Sequence, residues 1–239
     1  MKRRLLGAGT VAAAALITLP ASAGLVMIDD FSSGAFSSSI TSGSDVTQQA
    51  GSMIGGQRDV GLEVLDNPFN QNFEVALGGG GLGLSFSAGV GLAGQLGLDY
   101  DGSTDVEDGS LPFEVGEGLN LDLSGLTDIQ FGFLAADLDF EVLVILQQVE
   151  NGAVTQTSQA SLAVNASGSP FNATIALSEF DGALLNDVDR IGVLFNFNEA
   201  GDPASSLDFL LTEISVVPAP SALAAFGLLG LAAGRRRRG

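Results

Sequence analysis

The sequence predicts an all-β protein, a single antiparallel β-sandwich of jelly-roll type flanked by two terminal segments that do not belong to the fold. Three observations predict it. Apolar residues recur with a period of two: Ile191, Val193, Phe195 and Phe197 alternate with Gly192, Leu194, Asn196 and Asn198, and Ile129, Phe131 and Phe133 repeat the pattern around Gln130 and Gly132. Gly, Asn, Asp and Pro punctuate these runs, as hairpins and sandwich loops require. No stretch of the body carries the 3.6-residue apolar stripe of a surface helix. A parallel β-helix is the alternative, but no fixed repeat length is present.

Taken in chain order, strands are predicted over residues 59–65, 73–77, 82–87, 95–100 and 119–123, then around Ile129 to Phe133. Residues 140–149 are apolar on both faces for much of their length, which predicts a central strand. Further strands follow over 161–165, 171–177, 191–198 and 207–216. Ten or more short strands in one domain read as a two-sheet sandwich. The glycine run of residues 78–83 satisfies a G-x-G-x-x-G spelling at Gly78, Gly80 and Gly83. A dinucleotide site would need a helix opening there, and Leu84-Ser85-Phe86-Ser87 is strand-like, so the run reads as a connection between strands.

Composition excludes several chemistries. The 239 residues carry 9 basic and 28 acidic side chains, a formal charge of −19, and no His, Cys or Trp. There is thus no thiol nucleophile, no Ser-His-Asp triad and no zinc site built on nitrogen or sulfur. A chain this acidic does not track a phosphate backbone, so nucleic acid is not a partner.

The N-terminus reads Met1-Lys2-Arg3-Arg4, an apolar run over residues 5–19, then Pro20-Ala21-Ser22-Ala23. A basic start, a short apolar span and small Ala21 and Ala23 before the scissile bond describe a secretory signal peptide over residues 1–23, removed by signal peptidase to leave Gly24 first. The C-terminal 217–239 segment reads Val217-Pro218-Ala219-Pro220, an almost wholly apolar span over 221–234, then Arg235, Arg236, Arg237 and Arg238. As a helix that span would reach about 21 Å, short of a hydrocarbon core of about 30 Å. The arginines would hold it on the cytoplasmic side, as a stop-transfer anchor.

This three-part order resembles the PEP-CTERM sorting signal of bacterial exported proteins, with Ala219 where the family usually has Glu. The resemblance implies recognition and processing by an exosortase after transient membrane anchoring. It places the product at the cell surface or outside the cell.

Trimming both ends leaves a body, 24–216, that keeps all 28 acids and, of the bases, Arg58 and Arg190 alone, a formal −26. Such self-repulsion favours a soluble monomer. The two arginines are expected to pair with their sequence neighbours, Asp59 and Asp189, on an acidic surface. The densest acidic stretch, residues 99–108, offers oxygen ligands at alternate positions in Asp99, Asp101, Ser103 and Asp105, the start of a calcium loop, although Thr104 stands where a helix-loop-helix site has Gly. Calcium is the one cofactor this pattern allows; a solvated acidic loop is the plainer reading.

Paired carboxylates are the remaining catalytic toolkit. Strand-borne candidates are Glu63, Glu74, Asp122, Asp139, Glu141, Asp208 and Glu213, but among 28 acids close pairs are unavoidable. Sugar stacking would rest on Tyr100, the single Tyr, as a ligand contact. Sequons at Asn165 and Asn172 suit surface positions. Gly55-Gly56-Gln57-Arg58-Asp59, Tyr100-Asp101-Gly102 and Asp187-Val188-Asp189 resemble galactose-binding-like jelly-rolls, none of them being a catalytic motif. The expectation is a non-enzymatic structural or adhesive protein associated with exopolysaccharide. A carbohydrate-active enzyme and a calcium-dependent adhesion module are the alternatives.

Overall fold

The computed structural model describes residues 24–77, 83–103, 118–198 and 202–218. The expected signal peptide, Ala21 and Ala23 within it, Asp105, and the tail from Ala219 through Pro220 to Arg235, Arg236, Arg237 and Arg238 lie outside them. Thirteen strands follow one another among the described residues: β1 (Val26–Asp29), β2 (Phe36–Ile40), β3 (Ser44–Ala50), β4 (Gln57–Asp66), β5 (Phe73–Leu77), β6 (Leu84–Ala88), β7 (Ala93–Tyr100), β8 (Leu126–Ala136), β9 (Phe140–Glu150), β10 (Ala153–Val164), β11 (Phe171–Ala176), β12 (Arg190–Phe195) and β13 (Asp208–Pro218). Helical structure among the described residues is confined to three single turns of 3₁₀-helix. None of it is long or apolar enough to cross a membrane.

The strands form two antiparallel sheets, one ordered β11-β8-β13-β6-β5-β2 and the other β10-β9-β12-β7-β4-β3. In the first sheet β13 pairs with β8 along its length, with β6 through residues 208–211, and with β1 through residues 214–216. The predicted antiparallel sandwich of jelly-roll type is the observed fold.

Period-two alternation puts one face of each sheet inside. Val60, Leu62, Leu96, Leu98, Tyr100, Val142, Val144, Leu146, Ile191, Val193 and Phe195 point inward from the second sheet and are fully buried. Opposite them stand Phe73, Val75, Phe86, Ile129, Phe131 and Phe133. In β13 the inward set runs Phe209, Leu211, Ile214, Val216; the three-residue step falls at a β-bulge that shifts the register around Thr212 and Glu213. Phe209 sits at the centre of a ring cluster, stacked on Phe86 (4.6 Å between centroids) and Phe140 (5.1 Å), with Phe195 at 5.4 Å and Phe133 at 5.8 Å.

Several elements differ from expectation for local reasons. β1, β2 and β3 lie outside the predicted strands: β1 (VMID) is only four residues long, and β2 (FSSSI) and β3 (SDVTQQA) are Ser- and Gln-rich edge strands that carry little apolar signal. Residues 119–123 form no strand beyond a single bridge from Leu121 to Val188. β10 begins at Ala153, well before 161, because Asn151 and Gly152, both at positive φ (54° and 76°), form a two-residue hairpin that zips it onto β9. The alternation around 191–198 breaks at Asn196, which adopts a φ of 60° and ends β12.

Truncating Phe209 to Ala is expected to lower unfolding stability by about 3–5 kcal/mol, measured by denaturant titration, because four ring neighbours lose their common partner.

Candidate functional site

Both arginines of the body are buried, not at the surface, and neither pairs with its sequence neighbour. Arg58 is 1% exposed and Arg190 5%. Alternation along β4 turns Arg58 inward, where its Nη1 donates to Asp29 Oδ2. Its Nε and Nη2 both donate to Gln49 Oε1 (3.1 and 2.7 Å), and Nη2 also reaches the carbonyls of Ser33 and Gly34, each at 3.0 Å. Phe31 lies under the guanidinium, 5.5 Å from ring centroid to Cζ.

Tyr100 completes this knot. Its hydroxyl donates to Asp29 Oδ2 at 3.0 Å, its ring is wholly buried, and burial followed by the Asp29 charge pushes its pKa well above the ordinary phenol value. The expected stacking surface at Tyr100 is therefore corrected: no part of that ring is open to a ligand.

A second polar centre lies on the outward side of the six-stranded sheet. The β4–β7 register sets Asp59 opposite Asp99, and the β7–β12 register sets Gly192 on the other side of Asp99. Asp101 follows two residues after Asp99, past the end of β7, with its Oδ1 accepting from Ser103 N at 2.8 Å in an Asx turn. Asp59, Asp99 and Asp101 each bring a carboxylate oxygen within 4.8 Å of the others, at 1%, 1% and 3% exposure.

Arg190 closes one side of this centre. Its Nε donates to Asp99 Oδ1 (2.8 Å) and Oδ2 (2.9 Å), and its Nη1 donates to Gln147 Oε1 at 2.8 Å. Burial pushes the Asp99 carboxyl up to about 7 against the pull of Arg190, and Asp101 and Asp59 add to the rise. Ser103 is buried and its carbonyl accepts from Gln48 Nε2 at 3.1 Å. Of the four oxygen ligands expected from sequence, the structure thus gathers Asp99 and Asp101 with Asp59. The partner at 59 comes from strand register, which local spacing does not reveal.

Asp189, the expected partner of Arg190, instead accepts from the backbone, at Val149 N (2.7 Å) and Asn120 N (3.3 Å). Val217 and Pro218, the first residues of the expected sorting motif, are the last residues of β13, opposite Asp128 and Leu126 of β8.

A pocket of about 390 Å³ opens at the end of the same sheet, where β9 begins and β10 and β12 end. Asp139, Glu141, Asn165, Phe197, Asn198 and Asp202 contribute to its wall. Asn196 fixes its frame: Nδ2 donates to the carbonyls of Gly94 and Ala204 (both 2.8 Å) and Oδ1 accepts from Ala204 N at 2.9 Å. Asp139 Oδ1 accepts from Ala166 N at 2.6 Å and ties down the neighbouring loop. A larger hollow of about 510 Å³, between residues 135–137, 166–168 and 208–210, is walled mostly by Ala and Gly and by Phe209 and Leu210, with few side-chain hydrogen-bonding groups.

No protein-family model matches the sequence, and no curated protein matches it. Among solved structures, the chain is similar to a family 11 carbohydrate-binding module from Clostridium thermocellum, solved with a β-1,3-1,4-mixed-linked tetrasaccharide. The identity is 18%, covering 83% of this chain and 98% of that one, with a TM-score of 0.42. The family 11 module of the Clostridium thermocellum cellulase Lic26A-Cel5E gives 18% identity, coverage of 83% and 97%, and a TM-score of 0.40. A DUF4465 family protein from Bacteroides caccae gives 13%, coverage of 82% and 99%, and 0.27. These values assign neither a family nor a ligand to this chain.

With the folded pKa of Asp99 raised above its unfolded value, the native state binds that proton more tightly than the unfolded chain. The stability this group contributes is full below about pH 4 and is lost as pH rises towards 7. In calcium-free buffer the Tm is expected to fall between about pH 4 and about pH 7, and Asp99→Asn should flatten that part of the profile. An unchanged slope in the variant would remove Asp99 as its source.

Proposed function

We propose that the chain is an exported, non-enzymatic protein of the cell surface or extracellular matrix that associates with exopolysaccharide through the pocket at the end of the second sheet, its tail being processed by an exosortase. The pocket wall carries the reading. Carboxylates at Asp139, Glu141 and Asp202 accept hydrogen bonds, the amides of Asn165 and Asn198 both donate and accept, and the half-buried ring of Phe197 supplies an apolar face. Such a set matches a sugar, whose hydroxyls donate and accept around an apolar ring face.

The terminal segments support the export half of the reading through the basic start, the Ala21 and Ala23 pattern and the Val217-Pro218-Ala219-Pro220 motif before the arginines. For the catalytic alternative, the carboxyl that burial raises, Asp99, is enclosed and held by two bonds from Arg190, which does not suit a general acid working in an open cleft.

Intact mass of the protein recovered from producing cells is expected to start at Gly24, to end near Val217, and to be found outside the inner membrane. Full retention of the arginine cluster in the inner membrane would overturn the sorting half. Co-sedimentation with the cells' own exopolysaccharide should weaken about tenfold, the equivalent of about 1.4 kcal/mol, in Phe197→Ala and in Asn165→Ala. Undiminished binding in both would remove the pocket as the site.

A further inference from the structure

We infer that Asp59, Asp99 and Asp101 form a binding site for one divalent cation of the calcium type, assembled by strand register across β4 and β7. Three features of the molecule point there. The first is geometry. Oxygens bound to one calcium ion at about 2.3–2.6 Å stand up to about 5 Å apart across the ion, and the three carboxylates approach within 4.8 Å of one another.

The second is an incomplete bond pattern. Asp101 is 3% exposed; its Oδ1 is engaged by Ser103 N, while its Oδ2 has no hydrogen-bond partner among the described residues. A buried carboxylate oxygen without a donor is costly, and a cation is the group that satisfies it. The third is charge. Three buried carboxylates converge with one guanidinium, which engages Asp99 through Nε and spends Nη1 on Gln147. No other Lys or Arg of the body is available, because Arg58 is committed to Asp29.

Hard oxygen donors of this kind select calcium or a similar ion over softer transition metals. Carboxylates from two adjacent strands and the following turn would be clamped together by the ion, so the same charge that strains the sheet when bare would staple it when loaded. The site differs from a loop of consecutive ligands: Asp59 is 40 positions before Asp99 in the chain and enters by pairing alone.

Tyr100 stands between two of these ligands, and it is the single Tyr in a chain without Trp. It is therefore a built-in antenna for terbium, which replaces calcium in oxygen sites. Titration of Tb³⁺ into the full-length chain is expected to give saturable tyrosine-sensitised luminescence, with one ion per chain, displaced by Ca²⁺. Ca²⁺ should also raise the Tm above that seen at matched ionic strength in NaCl. Asp101→Asn and Asp59→Asn should each abolish the luminescence and the Ca²⁺-dependent Tm shift, whereas Asp181→Asn and Asp208→Asn, at exposed positions, should leave both in place. Absence of a tyrosine-sensitised signal in the unmodified chain would overturn the assignment, as would signal and shift that persist in Asp101→Asn. Because the unmodified titration is decisive by itself, failure of a variant to fold does not shelter the proposal.

Discussion

A body with 28 acids and two arginines cannot neutralise its surface from within, and it places both of its cations inside. Each then acts as a node. Arg58 draws together β1 through Asp29, the turn at residues 33–34, β3 through Gln49 and, by way of Asp29, Tyr100 of β7. Arg190 joins β12 to β7 through Asp99 and to β9 through Gln147. Six strands and a turn are thereby tied by two side chains, in surroundings where the lower dielectric strengthens each bond and makes any lost partner costly. The exterior keeps the uncompensated negative charge, which resists self-association and is weakened by salt.

The apolar interior and these polar knots divide the work. The phenylalanine cluster around Phe209 holds the two sheets face to face by area and ring geometry. The arginine knots fix which strands lie side by side at one end of the second sheet, where the apolar rows alone would leave register less determined. The Asn196 side chain performs a similar task at the other end, bonding the backbone at residues 94 and 204 so that the pocket wall has a fixed frame.

Much of this architecture is legible in the residues. The alternation in β8 and β12, the apolar run in β9 and the Gly and Asn punctuation carry the all-β reading, because they report burial on one or both faces directly. Strands whose side chains are mostly Ser, Thr or Gln, such as β2, β3 and much of β10, give no such report; hydrogen bonding to a neighbour makes them strands. The same limit applies to the polar sites. The i, i+2 spacing of Asp99 and Asp101 can be read locally, whereas Asp59 and Arg190 reach them only through the pairing of β7 with β4 and β12. The partners of Arg58 and Arg190 escape local reading for that reason: adjacent residues of extended chain point to opposite faces, so Asp59 and Asp189 are poorly placed to meet them.

The place of β13 bears on when the chain can fold. It is the last of the described strands in the chain, yet it occupies the middle of the first sheet, with β8 along one side and β6 and β1 along the other. Val26 finds its partner only when Val216 exists. Until then β1 has no neighbour in its sheet, and β8 and β6 face an empty lane. Contacts this distant in sequence make assembly slow, because long loops must close before any pairing rewards them. Completion of this sheet therefore waits for residues 208–218: a chain that stops short of them can pair β2 with β5, β5 with β6, β8 with β11 and the strands of the second sheet, but leaves β1, β6 and β8 each lacking a neighbour.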